Sequence, residues 1–173
     1  FSQTVEPFEV ILVDDCSDDD YTEIIKEFPT MRYIRLEENR GVGNARQIII
    51  DECRSKYLTM IDSDDQLLSV LALKIMWDGI HKHEGIQFLQ TSTMRLHYDS
   101  KLFEVENNLA WCHGKVYDVD FLRDNNIIIL PLRAFEDIVF SSLYILAFSA
   151  IKDLFFRYNY SIPYGFDEII IMY

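Results

Sequence analysis

Three carboxylates in four residues, Asp62-Ser63-Asp64-Asp65, close the short apolar run Tyr57-Leu58-Thr59-Met60-Ile61. Carboxylates packed this tightly repel, and a divalent cation or a bound proton relieves the repulsion. An all-oxygen donor set favours Mg²⁺, Mn²⁺ or Ca²⁺ over Zn²⁺. Taken alone, the same run reads equally as a solvated acidic turn capping a helix near Leu67, since Asp is a good N-cap. A second acidic group, Asp14-Asp15, follows the apolar run Val10-Ile11-Leu12-Val13, and a third, Glu136-Asp137, precedes a long apolar stretch. Glu136 and Asp137 can serve there simply as anions at a helix N-terminus.

Positioning these groups falls to elements legible in the hydrophobic pattern. Val10 to Val13 is continuous and β-branched, the mark of a strand buried on both faces. A helix is expected from Tyr21 to Phe28, with Ile24, Ile25 and Phe28 on one face, and a strand from Met31 to Leu36. Glu37 to Gly43 reads as a loop. A helix follows from about Asn44 to Arg54, with Ala45, Ile48 and Ile49 inward, then a strand from Tyr57 to Ile61. This βαβαβ order implies a parallel sheet with right-handed crossovers. Ligands of open α/β sheets bind outside the carboxyl ends of the strands, where Asp14-Asp15 and Asp62 to Asp65 fall.

Beyond Asp65 the spacing predicts a helix from about Leu67 to His83, ended by Gly85, with Leu68, Leu71, Ala72, Ile75, Met76 and Ile80 on one side and Trp77 in the core. Ile86 to Thr91, Thr93 to Tyr98 and Leu102 to Val105 read as shorter, antiparallel strands. A short helix is expected from Asp118 to Asn125, a strand from Ile127 to Leu130, a long helix after Glu136-Asp137, and a final strand from Leu154 to Tyr158.

The 173 residues suffice for one domain with a proper core. Apolar residues make up 49% and the net charge is −13, which fits a globular chain and opposes nonspecific binding to nucleic acid or to anionic membrane through a basic face. The longest apolar stretch, around Leu143 to Ile151, is too short to span a bilayer. Cys16, Cys53 and Cys112 lack metal-type spacing, and scattered thiols fit a reducing, cytoplasmic setting.

Four segments resemble the family 2 glycosyltransferases of the GT-A fold. They are Val13-Asp14-Asp15-Cys16-Ser17-Asp18-Asp19, Asn39-Arg40-Gly41-Val42-Gly43-Asn44-Ala45-Arg46, Asp62-Ser63-Asp64-Asp65 and Glu136-Asp137-Ile138-Val139-Phe140. Each is weak alone, but four in order, each on its expected element, are specific. The resemblance covers roughly Ser2 to Tyr160. It implies a mixed sheet, parallel in its N-terminal half and flanked by helices. One domain is expected over 1–173, with a nucleotide-binding half (1–66), an acceptor-side half (67–160) and a tail (161–173) of unassigned role. Members usually open with a further strand and helix, and Phe1 to Thr4 resembles the end of that helix, so the strand is expected ahead of Phe1.

The resemblance further implies metal-dependent, inverting transfer of a sugar, a hexosyl group in expectation, from a nucleotide-diphosphate sugar, UDP-linked first, to a hydroxyl. The acceptor would be a glycan, a lipid-linked glycan or a protein. Asp15 would accept from the uracil or ribose edge, with Asp14 structural or shared, and Asn39 and Arg46 near base and ribose. Arg46 reads equally as a counter-ion for Asp14, Asp15 and Asp62. Asp62 and Ser63 would face the donor, and Asp62 and Asp64 would hold Mn²⁺ or Mg²⁺, Asp64 most directly, with Asp65 in either shell. Asp137 would be the general base and Glu136 its neighbouring candidate. Ala110 to Tyr117 resembles the family segment before the base, with Cys112-His113 added between Trp111 and Gly114. There Trp111 would stack on the acceptor or sit in the core, His113 touch metal or phosphate or be structural, and Lys115 contact phosphate or pair with an acid. The setting expected is cytoplasmic, with peripheral attachment at the inner face of a membrane as an option. Competing readings are a nucleotidyltransferase on a similar fold, a donor hydrolase and a non-catalytic nucleotide-sugar-binding module.

Overall fold

In the computed structural model, residues 3–4, 8–82, 87–97, 102–106, 110–132, 135–157 and 170–171 are described. Strand β1 (Ile11–Asp14) leads through helix α1 (Thr22–Glu27) to strand β2 (Arg32–Arg35), and the two strands pair in parallel with Ile11 opposite Arg32. Helix α1 fully buries none of its residues: of the expected inward face, Ile25 and Phe28 are half-buried and Ile24 is exposed. The helix is only six residues long and lies on the protein surface.

Helix α2 (Val42–Glu52) starts behind Gly41, whose φ of +89° belongs to the region that suits a residue without Cβ. Its buried residues are Gly43, Arg46 and Ile50, one helical stripe, with Ala45, Ile48 and Ile49 only half-buried beside it. The stripe is rotated from the apolar expectation because Arg46 turns inward to buried acidic partners. Arg123 closes the far end by donating from Nη2 to the carbonyls of Ile50 (2.8 Å) and Cys53 (2.8 Å).

Strand β3 (Tyr57–Leu58) is shorter than expected, but Met60 continues it as a parallel bridge to His113. Helix α3 (Ala72–His81) begins five residues later than its periodicity suggests. Ser69 explains the delay: its Oγ accepts from Leu71 N (3.1 Å) and its carbonyl from Ala72 N (3.1 Å), local bonds that compete with helix upstream. Leu68 and Leu71 are therefore exposed, while Ala72, Met76 and Ile80 are buried. Trp77 is 48% exposed, not core, and stacks on His81 with centroids 3.9 Å apart.

Strand β4 (Phe88–His97) is continuous through Ser92, where two strands were expected, because no Gly or Pro interrupts it. It runs antiparallel to β5 (Leu102–Glu106) and to β6 (Lys115–Asp118), and β6 pairs antiparallel with β3. Strand β6 lies wholly buried and was not anticipated as a strand. Asp118 then caps helix α4 (Val119–Asp124), its carboxylate accepting from Phe121 N at 3.0 Å.

Ile127 to Leu130 is not a strand. Its backbone is claimed by a side chain, Ile129 N donating to Gln47 Oε1 at 2.7 Å, while Ile127 and Ile129 alternate into the core. Helix α5 (Glu136–Arg157) carries through the region expected as a final strand; Tyr158 and Gly85 lie outside the described residues. The same holds for the tail except β7 (Ile170–Ile171), parallel to β4. The main core gathers Ile50, Met60, Cys112, Tyr117, Phe140 and Tyr144 between sheet and helices. The described strands form a mixed α/β arrangement of two sheets flanked by helices, the parallel pair β1–β2 and the run β3–β6–β4–β5 with β7 on β4; β3 pairs antiparallel with β6 and does not extend the parallel pair as the βαβαβ order implied. No helix among the described residues is long and apolar enough to cross a membrane.

Candidate functional site

Burying a guanidinium is costly unless its donors are satisfied and its charge is paired. Arg46, 6% exposed, meets both conditions. Its Nη2 donates to Asp62 Oδ1 at 2.7 Å, and its Nη1 donates to Glu136 Oε1 at 2.8 Å and to Asp137 Oδ1. Burial works against the charge, yet the hydrogen bond to Asp62 and the charges of Asp137 and Asp62 outweigh it and raise its pKa. The expected pairing of Arg46 with Asp62 forms; its other partners are the acids that open α5, not Asp14 and Asp15.

Glu136 is buried, and its neighbour Asp137 is half-buried. Burial, followed by the charge of the nearby Asp137 carboxylate, pushes the Cys112 thiol far above its ordinary range. Lys115 extends through the core to donate from Nζ to the Trp111 carbonyl, and burial lowers it to about 8. Sequence reasoning missed Cys112; a buried thiol beside a candidate base has no signature in spacing alone.

On the open side of Asp62, one ligand atom each from Asp62, Asp65 and His113 lies within 4.8 Å of the others. The chain closes a turn there, Asp65 N donating to Asp62 O at 3.0 Å. His113 is brought in by its bridge to Met60, and its ring lies 4.8 Å from that of Trp111. His113 Nδ1 is buried without a hydrogen-bond partner among the described residues. Two carboxylates and an imidazole with an orphaned nitrogen suit a divalent cation. Asp64 and Ser63 are exposed on the same turn, and Asp64 stands outside that group.

The first acidic pair divides its duties. Asp14 is buried and accepts from the Tyr33 hydroxyl (2.6 Å), Ser17 N (2.8 Å) and Arg35 Nη1 (2.5 Å). The Tyr33 bond first, then the Ser17 amide, hold it down to about 2. Asp15 accepts from Arg40 N and Gly41 N, both at 2.7 Å, so its two oxygens organise the loop that enters α2. Asn39 lies exposed on that loop.

Residues 1–112 match the sequence profile of glycosyl transferase family 2. Chondroitin synthase of Escherichia coli is 29% identical over 114 residues, which are 64% of this chain and 16% of that protein. The UDP-Glc:alpha-D-GlcNAc-diphosphoundecaprenol beta-1,3-glucosyltransferase WfaP of Escherichia coli is 28% identical over 60% of this chain and 38% of its own. Crystal structures of S. aureus TarS 1-349, alone and with UDP, superpose with TM-scores of 0.62 and 0.58 at 23% and 22% identity. Each covers 81% of this chain and 47% of the TarS chain. The fold is thus the one that this class of enzymes uses, and the chain belongs to glycosyl transferase family 2. It spans less than half the length of each of these relatives.

Proposed function

We propose that the protein containing this chain transfers a sugar from a nucleotide-diphosphate sugar, UDP-linked, to a hydroxyl of a glycan or lipid-linked glycan. The observation that carries the reading is the one guanidinium shared by Asp62 and Asp137: it holds a metal-type acid and a candidate base in a single ion-pair cluster. UDP is favoured by the UDP complex of TarS and by the UDP-linked donor in the name of WfaP. A glycan acceptor is favoured by the polysaccharide-building names of the relatives, and a membrane-bound one by the diphosphoundecaprenol in one of them. Peripheral work at a membrane follows from that acceptor.

Asp62, Asp65 and His113 are the residues proposed to hold a divalent cation, with Asp64 within reach of its outer ligands. The imidazole shifts preference from Mg²⁺ towards Mn²⁺. The cation, when bound, neutralises charge on the leaving diphosphate as a Lewis acid. Asp137 takes the proton of the acceptor hydroxyl as that oxygen attacks the anomeric carbon, a single displacement that inverts configuration. Glu136, buried against Arg46, orients its neighbour. Asp15 and Asn39 frame the loop proposed for the base and ribose, Ser63 faces the donor, and Trp111 offers a ring to the acceptor. Lys115 holds the Trp111 backbone and adds positive charge behind Asp137.

The test is product analysis with UDP-sugars and Mn²⁺, with and without oligosaccharide acceptors. Acceptor-dependent formation of an inverted glycoside supports the reading. Release of free sugar alone, unchanged by any acceptor, points to donor hydrolysis, and nucleotide binding without turnover points to a binding module.

A further inference from the structure

Arg46 is outnumbered. One guanidinium faces three carboxylates, those of Asp62, Glu136 and Asp137, leaving the cluster with a formal surplus of negative charge. Two of the three belong to one end of α5, and the third opens the turn that carries Asp65. The partners are not equally committed. Glu136 is 7% exposed and Asp137 16% at the side chain, whereas Asp62 is 37% exposed and also faces Asp65 and His113. Asp62 is therefore the partner that a competing cation can most readily draw away. An arginine fork suits this sharing, since Nη1 and Nη2 are rigidly joined and one can lose its acceptor while the other keeps two.

We propose that Arg46 is a positioning residue that couples the cation site to the base. A cation that engages Asp62 weakens its bond to Nη2, and the guanidinium charge then falls more fully on Asp137 and Glu136. Coupling of this kind is reciprocal: whatever strengthens Arg46 on Asp62 must weaken the cation there by the same factor. The base is thus oriented most firmly when the donor's cation is in place. This rests on the cation reading of Asp62, Asp65 and His113 given above.

The experiment is a double-mutant cycle read by Mn²⁺ affinity, from electron paramagnetic resonance of free Mn²⁺ without donor or acceptor. Asp137→Asn removes one claimant on Arg46 without touching the cation site. It should weaken Mn²⁺ about two- to fivefold, the scale of an ion pair whose outer partner is partly solvated. The same change is then made where Arg46 is gone, in Arg46→Gln/Glu136→Gln, which removes the buried cation together with its most buried anion. There Mn²⁺ should bind tighter than in wild type, and Asp137→Asn should add no further effect, a nonadditivity that contacting residues show and independent ones do not.

If the double variant does not fold, by circular dichroism, Arg46→Lys serves in its place. A compact ammonium cannot bridge both acids, so the effect of Asp137→Asn should again disappear. An equal effect of Asp137→Asn with and without Arg46 means simple long-range charge and overturns the coupling while leaving the cation site intact. A wild-type chain that binds no Mn²⁺, or binds it equally after His113→Ala, overturns the cation reading and the coupling with it.

Discussion

Gly43 stands against the carbonyl of Leu130 so closely that a Cβ placed on it would lie 2.4 Å from that oxygen. The obstacle is backbone, not the movable tip of a side chain. Gly43→Ala should therefore force α2 away from residues 130–132 and cost about 1–3 kcal/mol, the scale of overpacking. The denaturant midpoint checks it; an unchanged midpoint would mean that the Leu130 segment yields freely. Arg46 rides on the same buried stripe, so its three ion pairs should loosen in the variant as well.

Asp14 gives stability a pH dependence of known sign. Its folded pKa of about 2 lies below its ordinary 3.8, so the unfolded chain binds the proton more tightly. The contribution is complete above the ordinary value and is lost as pH falls from there towards 2. Asp14→Asn should be less stable than wild type at pH 7, and the gap should close over that acid window. Urea unfolding of both proteins at several pH values is the measurement, and a gap that stays constant to pH 2 would remove Asp14 as its source.

Cation binding separates the candidate ligands. Asp62→Asn, Asp65→Asn and His113→Ala should each weaken Mn²⁺ by about 10–100-fold or more, since even outer-shell partners of a metal reach that range. Asp64→Asn should do less, because its carboxylate stands outside the group. Calorimetry of UDP binding with Mn²⁺ and with EDTA reads the same site from the nucleotide side. A larger loss for Asp64→Asn than for His113→Ala would give the inner position to Asp64, as the family resemblance alone suggests.

Replacing the base keeps shape and removes basicity. Asp137→Asn should lower transfer by about 10²–10⁴-fold while UDP binding changes by less than about tenfold. Glu136→Gln, which leaves Asp137 in place, should be milder in turnover and visible mainly in thermal unfolding, because Glu136 is buried against Arg46. Transfer rate and nucleotide affinity, measured together, decide between them. Near-normal transfer by the Asp137→Asn protein would move the base elsewhere.

Most elements were legible because their signals are local. The β-branched run at Ile11–Asp14, the βαβ order and the Asp118 cap needed only neighbours in the chain. Where reading failed, a distant partner had overridden the pattern. Ile127 to Leu130 alternates like a strand, yet Gln47 from α2 takes the Ile129 amide. Ser69 turns the chain ahead of α3 through its own hydroxyl, a choice the helical spacing of Leu68 and Leu71 conceals. Strand β6 hid inside a motif noticed for its chemistry, since Lys115 at its start seemed to belong to the surface. At the site, the acids of each motif were visible as residue types. Their division of labour was not, because it depends on which guanidinium or amide each carboxylate meets across sixteen or more residues of chain.

Helix α2 is fastened along its whole length: Asp15 grips the peptides entering it, Gln47 is tied to Ile129, and Arg123 holds three carbonyls around its exit. Such a rod serves as a fixed anvil against which softer parts are pressed. The segment from Ile61 to Leu71 is mostly exposed and, among the described residues, held by fewer bonds. Any closure over a donor should thus be a one-sided clamp: the Asp62 to Asp65 turn travels, while α2 and the guanidinium of Arg46 stay still. Amide exchange in α2 should accordingly be slow with or without nucleotide, and the nucleotide should register in the turn.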